Sequence, residues 1–575
     1  MMRYTVRFPA PQSHYAEVEM LLPPGERTLM AAVWTPGSYL VREYARNIEG
    51  LTAYDEAGKP VEAVKTSKNR WRLDPRAVRV SYRVYGREMT VRTNFIEGDF
   101  AVLNGAPTFL TMPSMLGEPH EVSVANPPGW TSVVTALEKV GDHRFRAADF
   151  DELVDSPILC GSPLVSRFEV AGKEHVLATW NDGGLWDLPQ AARDAEAIVR
   201  AHSDFWGGLP YPRYAFLNLL VEARGGLEHK NSTVLMGSRF DGRVREQYVK
   251  WLLLVSHEFF HVWNVKRLRP VELDRFDYEA ENYTPSLWIA EGFTAYYESV
   301  LLRRSGLITD KEFLKEMAAT LESVETVPGR EVQSVREASW DAWIKFYRPD
   351  ENSVNSAISY YDKGAAIAFI LDMRIRQETD GDKSLDDVMC LANERYGEGK
   401  PGYTEEQFIA LISEVAGTDL TAFVRRLSAT TEPLDYGPAL EWLGLKLAPP
   451  ETPTDGSPEP VWLGAKLKVD NGRLLVTAVP RGTPAFACGL DAEDEILALG
   501  DYRVLSDKLD ERLKLYRVGD KTSLLVARRG KLVRLEVTFT RKPGAWKLEV
   551  DPKAGPAAVA RREQWMSGRQ AVPAR

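Results

Sequence analysis

The strongest constraint on this chain is a pair of histidines set four residues apart inside an apolar run. Trp251-Leu-Leu-Leu-Val-Ser-His257-Glu258-Phe-Phe-His261-Val-Trp263 carries the pattern H-E-x-x-H. On a helix, residues four apart sit about 40° apart around the axis, so both imidazoles reach the same point in space. Two neutral imidazole nitrogens on one face can hold Zn²⁺, which makes His257 and His261 candidate ligands. Glu258 stands between them, placed to take a proton from the water that such a metal activates. The pattern points to a peptide-hydrolysing metal centre, and such a centre needs a third protein ligand and one open position.

Downstream, Trp288-Ile-Ala-Glu291-Gly-Phe-Thr-Ala-Tyr-Tyr-Glu298 reads as the start of a second helix, its entrance marked by Pro285 and Ser286. Glu291 falls in the first turn, and Glu298, seven residues on, lies on nearly the same face. The segment after His261 is long enough to fold this helix back against the first, which makes Glu291 the expected third ligand. Glu298 is placed to orient a ligating histidine through its other ring nitrogen. Asn264, seven residues after His257, shares that face as a polar neighbour of the site.

H-E-F-F-H followed by W-I-A-E-G-F resembles the gluzincin aminopeptidases, whose single zinc ion is held by two histidines and a distant glutamate. The longer string from His257 to Pro270 resembles one branch of them, the glycyl aminopeptidase family. So does the stretch Trp34-Thr-Pro-Gly-Ser-Tyr39 with Arg42-Glu-Tyr-Ala-Arg-Asn47. The resemblance spans nearly the whole chain and implies a C-terminal PDZ domain. It also implies roles for two further motifs. Gly225-Gly226-Leu227-Glu228 resembles the exopeptidase motif of these enzymes, in which the glycine backbone pairs with the substrate and the glutamate binds its free α-amine. Leu227 and His229 stand where Met and Asn are usual. Tyr361-Asp-Lys-Gly-Ala365 resembles the string whose tyrosine hydroxyl stabilises the oxyanion, and the spacing selects Tyr361 over its neighbour Tyr360.

The function expected from the resemblance is a zinc aminopeptidase acting on peptides with a free N-terminus and favouring Gly and Ala there. Two alternatives stay open: a zinc endopeptidase guided by its PDZ domain, and a PDZ scaffold whose metal site has lost activity. A pocket for small first residues would need bulky walls near Glu228, and no residue can be placed there from sequence.

The rest of the chain reads as a multidomain α+β enzyme. Its 575 residues suggest several domains, and a net charge of −10 without a basic stripe gives no support for nucleic-acid binding. The cluster Lys266-Arg267-Leu-Arg269 reads as a helix C-terminus, where cations complement the dipole. Residues 1–170 show short alternating stretches broken by Pro and Gly, the pattern of a sandwich-like β domain. Within it, Gly37 reads as a turn residue. Residues 171–436 pass from a few strands to long amphipathic helices, which the resemblance makes a thermolysin-like α/β catalytic core with a helical lobe. There, Tyr214–Glu222 reads as an edge strand leading into a Gly-Gly-Leu-Glu turn. Residues 437–547 form the PDZ-like unit, opened by a Pro-rich linker over 448–460, and 548–575 read as a C-terminal tail. Leu463-Gly464 stands where such domains cap a peptide carboxylate, preceded by Trp462 in place of the usual Gly.

Cys160, Cys390 and Cys488 are far apart and odd in number, so no disulfide framework is expected. No leader pattern and no membrane-spanning apolar run is visible. The expectation is a cytoplasmic protein, or a secreted or periplasmic one if a leader has been removed.

Overall fold

Alternating burial builds the first part of the molecule. In Met2–Arg7 and Tyr15–Leu21 every second side chain is buried, as in strands with one covered face. These strands sit in the middle of an eight-stranded sheet that also takes in 79–85, 48–54 and 120–125. A four-stranded sheet formed by 132–134, 158–161, 101–103 and 95–96 joins it to make the N-terminal β-rich domain. The computed structural model describes residues 1–448, 459–506 and 508–568.

The second part is a five-stranded sheet in the order 164–170, 173–180, 213–220, 232–237, 225–228. Its three inner strands run parallel. Arg213–Leu220 is central, not the edge strand expected, and every residue from Tyr214 to Leu220 is buried, so both its faces are covered. The edge is Gly225–Glu228, expected as a turn but found as a short strand antiparallel to Ser232–Gly237. One face of this sheet packs on the N-terminal domain, with Phe95, Phe100 and Leu159 against Val176, Leu217 and Leu227. The other carries the helix Arg245–Phe260, where Phe259 stacks on Phe216 at 5.8 Å.

Three helices meet beneath the cleft. The motif helix Arg245–Phe260 and the long helix Tyr360–Glu378 both pack on Gly292–Arg304. The last two cross glycine on glycine. A Cβ on Gly292 would lie 2.4 Å from the Gly364 Cα, so any side chain there would force the helices apart. Behind them stand Asp310–Glu325, Leu385–Tyr396 and Glu405–Ala416, each opened by a capping box.

The C-terminal part requires two corrections. Its six-stranded sheet, running from 466–470 to 531–538, has its own core around Val476, Ile496, Leu524 and Val537. Gly437–Leu443 and Leu445–Ala448, however, belong to the core of the helical lobe and not to that unit. Nor is the segment after 547 a tail. Lys547–Val550 pairs with Leu445–Ala448, and the helix Pro556–Ser567 buries Trp565 completely against Phe313 and Phe369. Trp565 also donates its indole N–H to the Tyr296 hydroxyl at 2.8 Å, which fixes the helix against the site's own scaffold. Alternation and amphipathicity in so short a helix are weak, and its partners lie far away in sequence. Most of the Pro-rich linker, 449–458, lies outside the described residues, as does the end of the chain from 569. Among the described residues no helix is long and apolar enough to cross a membrane. Cys160, Cys390 and Cys488 are all free thiols.

Candidate active site

The two histidines are held by acceptors on their outer nitrogens. His257 Nδ1 lies 2.5 Å from Glu298 Oε2, and His261 Nδ1 lies 2.6 Å from the backbone oxygen of Asn264. Carboxylate and carbonyl oxygens only accept, so each Nδ1 donates its proton outward and each Nε2 keeps a free lone pair. The two Nε2 atoms point at one another across 3.1 Å. Glu291 Oε2 completes a triangle, 3.2 Å from His261 Nε2 and 3.7 Å from His257 Nε2. Two imidazoles and a carboxylate with donor atoms within 4.8 Å of one another suit zinc with one position left open.

Local chain features account for this triangle. Glu291 sits at the junction between the single turn Leu287–Ala290 and the helix that begins at Gly292. Asn264 pins that junction: its side-chain N–H groups donate to Ile289 O, Ala290 O and Thr294 Oγ1. It therefore acts on the site twice, by its carbonyl on His261 and by its amide on the backbone that bears Glu291. Burial works against a charge on Glu291, but the two imidazoles outweigh it and hold its carboxyl down to about 2.

Glu258 faces the same cleft and is buried, with one carboxylate oxygen lacking a hydrogen-bond partner among the described residues. Burial is the main force pushing its carboxyl up to about 7, opposed by His257 and His261 and assisted by the negative charges of Glu228 and Glu291. Glu228 is equally buried and also has a partnerless oxygen. Carboxylate oxygens of Glu228 and Glu258 lie within 4.8 Å of each other and of a His261 nitrogen. Gly226 leaves the room they need: a Cβ there would fall 2.0 Å from Glu258 Oε1. Gly225 has φ +134, which favours glycine, while the Leu227 side chain turns away into the contact with the N-terminal domain.

Tyr361 lines this cleft of about 390 Å³, its ring 6.2 Å from that of His257, and burial keeps its phenol protonated. Tyr360 is fully buried, stacked on Tyr361 at 4.7 Å and against Phe346 at 4.8 Å, and does not line the cleft. The structure thus gathers His257, Glu258, His261, Glu291, Glu298, Gly226, Glu228 and Tyr361 around one cleft.

Sequence reasoning missed the part of the cleft supplied by the N-terminal domain. Gly37 takes φ +85 in a turn, as expected, but the turn also presses against the site: a Cβ there would lie 2.5 Å from Glu228 Oε1. Arg92 enters from the same domain. No local pattern marks either contact, since each joins positions more than a hundred residues apart. The Lys266–Arg269 cluster also differs from expectation. The motif helix ends at Phe260, and Lys266 reaches Asp155 Oδ1 at 2.7 Å while Arg267 reaches Glu398 Oε2 at 3.0 Å. The cations tie chain segments together beyond any effect on a helix dipole.

Comparison with known proteins agrees with this architecture. The family model of the M61 glycyl aminopeptidases matches residues 250–367, and that of the peptidase M61 N-terminal domain matches residues 3–162. A crystal structure of an aminopeptidase N family protein from Idiomarina loihiensis superposes with a TM-score of 0.92 at 30% identity, covering 98% of this chain and 100% of that one. An M1 zinc metallopeptidase from Deinococcus radiodurans is far more distant, with a TM-score of 0.47 at 13% identity over 76% of this chain and 94% of its own. No curated protein matches by sequence. Fold and relatives together define a zinc metallo-aminopeptidase. The chain belongs to the M61 glycyl aminopeptidase family.

Proposed function

We propose that this enzyme removes the first residue of peptides, glycine above all and alanine next, by a Glu258-assisted attack of water. The carrying observation is the pair of buried, incompletely partnered carboxylates beside the histidine triangle. A second buried carboxylate has no use in water activation alone. A cationic α-amine would satisfy it and fix where along the peptide the cut falls.

His257, His261 and Glu291 would hold one zinc ion, which when bound polarises the scissile carbonyl and eases deprotonation of the attacking water. Glu258 takes the water proton and passes it to the leaving amine, a task suited to a carboxyl raised towards neutrality. The Tyr361 phenol donates to the carbonyl oxygen as that oxygen gains charge. Gly225 and Gly226 lie on the open edge of the sheet, where a substrate can add as a further strand. Glu228 then meets its amine, and Glu298 and Asn264 keep the imidazoles turned inward.

The test uses the zinc-loaded protein with a glycyl chromogenic amide and its N-acetyl form. Cleavage of the free amine with the acetylated form spared is expected. Equal rates on both would remove Glu228 from the amine-binding role and favour endopeptidase action.

The six-stranded C-terminal unit supports a PDZ-like reading. Lys466–Asp470 ends the sheet, so its outer side can accept a peptide strand, and it follows directly on Leu463-Gly464. A fluorescent peptide with a free C-terminal carboxylate should bind the whole protein, and an amidated one should not.

A further inference from the structure

The Glu228 end of the cleft is bounded by residues of the N-terminal domain. Gly37 touches the Glu228 carboxylate closely enough to exclude a Cβ. The Gly37 carbonyl accepts from the Tyr347 hydroxyl at 3.5 Å, which sets that ring beside the same corner. Tyr347 also stands between Tyr39, at 6.2 Å between rings, and Phe346, at 5.5 Å. Arg92 lines the cleft together with Gly37, Glu228 and Tyr361, and its buried Nε has no hydrogen-bond partner among the described residues. Arg92 thus brings a positive charge to the cleft that holds Glu228.

The backbone that carries the arginine is fixed. Its carbonyl accepts from the Tyr44 hydroxyl at 2.9 Å, and its own N–H donates to Thr90 Oγ1 at 3.2 Å. The next residue is fixed as well, Thr93 bonding to Glu88 O and Asn104 donating to Thr93 O. The point from which the guanidinium projects is therefore set by the N-terminal domain. A positive charge beside the first residue repels a cationic side chain.

We propose that Arg92 and Tyr347 are the specificity wall of the enzyme: they close the pocket of the first residue to large side chains, and Arg92 rejects cationic ones. The proposal rests on Glu228 as the amine anchor and adds what decides among amines.

Glycyl, alanyl, leucyl and lysyl 4-nitroanilides, assayed on the full-length zinc enzyme, test it through ratios of kcat/KM. In the wild type glycyl should exceed leucyl and lysyl by about tenfold or more, the scale on which pockets discriminate by size. Arg92→Ala should raise the leucyl-to-glycyl ratio by about tenfold. Arg92→Gln, which keeps bulk and loses charge, should raise the lysyl-to-glycyl ratio and leave the leucyl ratio within about twofold. Tyr347→Phe keeps the ring and should preserve all ratios, whereas Tyr347→Ala, checked for folding by its melting curve, should open the pocket to leucyl. Unchanged ratios in Arg92→Ala and a folded Tyr347→Ala overturn the wall while sparing Glu228. A wild type that cleaves free and N-acetylated amides alike overturns the amine anchor, and the wall with it.

Discussion

The two sides of the cleft are made in different ways. The metal side comes from neighbouring helices of one domain, each marked by a short string: H-E-x-x-H, E-G-F, and Y-D-K-G-A. The substrate side is assembled across domains, from an edge strand of the catalytic sheet, a turn bearing Gly37 and a loop bearing Arg92. The difference teaches that the metal-site geometry is written locally, while the opposite wall of the cleft depends on how the N-terminal domain docks on the catalytic sheet. Helical spacing fixes the first, and long-range packing fixes the second.

Four expected outcomes probe this division. The largest concerns the metal side alone: Glu258→Gln should lower kcat by about 10³- to 10⁴-fold. Metal analysis should still find zinc at the wild-type level, and activity within tenfold of wild type would remove Glu258 from the proton-transfer role.

The next strikes the docking. Asp155 leaves the N-terminal domain to meet Lys266 Nζ at 2.7 Å, His229 Nδ1 at 3.1 Å and Lys230 N at 2.6 Å. Burial alone would raise its carboxyl, but Lys266 and His229 hold it below the ordinary carboxylate range. A carboxyl depressed by folding stabilises the folded state above the ordinary aspartate pKa of about 3.9 and loses that effect as pH falls below it. Asp155→Asn should therefore cost about 3–5 kcal/mol at neutral pH, as breaking a buried ion pair does. Melting curves of the two proteins should converge only in strong acid, and a gap independent of pH would mean that charge is not the cause.

Tyr361→Phe returns to the chemistry. Loss of one donor to a developing oxyanion should lower kcat by about 10²- to 10³-fold while KM changes little. A rise in KM with kcat intact would make the ring a binding surface only. Last, Glu298→Ala should weaken zinc affinity by about 10- to 100-fold, the usual effect of removing a carboxylate behind a ligating histidine. Titration with a competing chelator reads this directly, and unaltered affinity would leave Glu298 as a surface carboxylate.

The same division explains what the sequence reveals. His257 and His261 converge because a helical repeat suffices to place them, and Glu291 reaches them because its helix packs on theirs and Asn264 ties the junction. The spacing to Lys363-Gly364-Ala365 in the resembling motif selects Tyr361 over Tyr360, and Tyr361 is the one that lines the cleft. The strand 213–220 was misplaced at an edge, since a run of apolar residues says that both faces are covered but not which strands flank it. Arg92 and Tyr347 left no trace, as a partner more than a hundred residues away has no period. The final helix escaped for the same reason, its one anchoring ring reading as an ordinary aromatic.

That helix has a practical corollary. The chain leaves the helical lobe at Ala448 and re-enters it at Lys547, two residues that face each other in one antiparallel pair. The described residues between them form a cassette with both its ends side by side, held by this two-stranded neck and by bonds from Arg481 to Asn355. A short turn joining Ala448 to Lys547 should excise the cassette whole, leaving the peptidase closed by its own last helix and giving each half a separate assay.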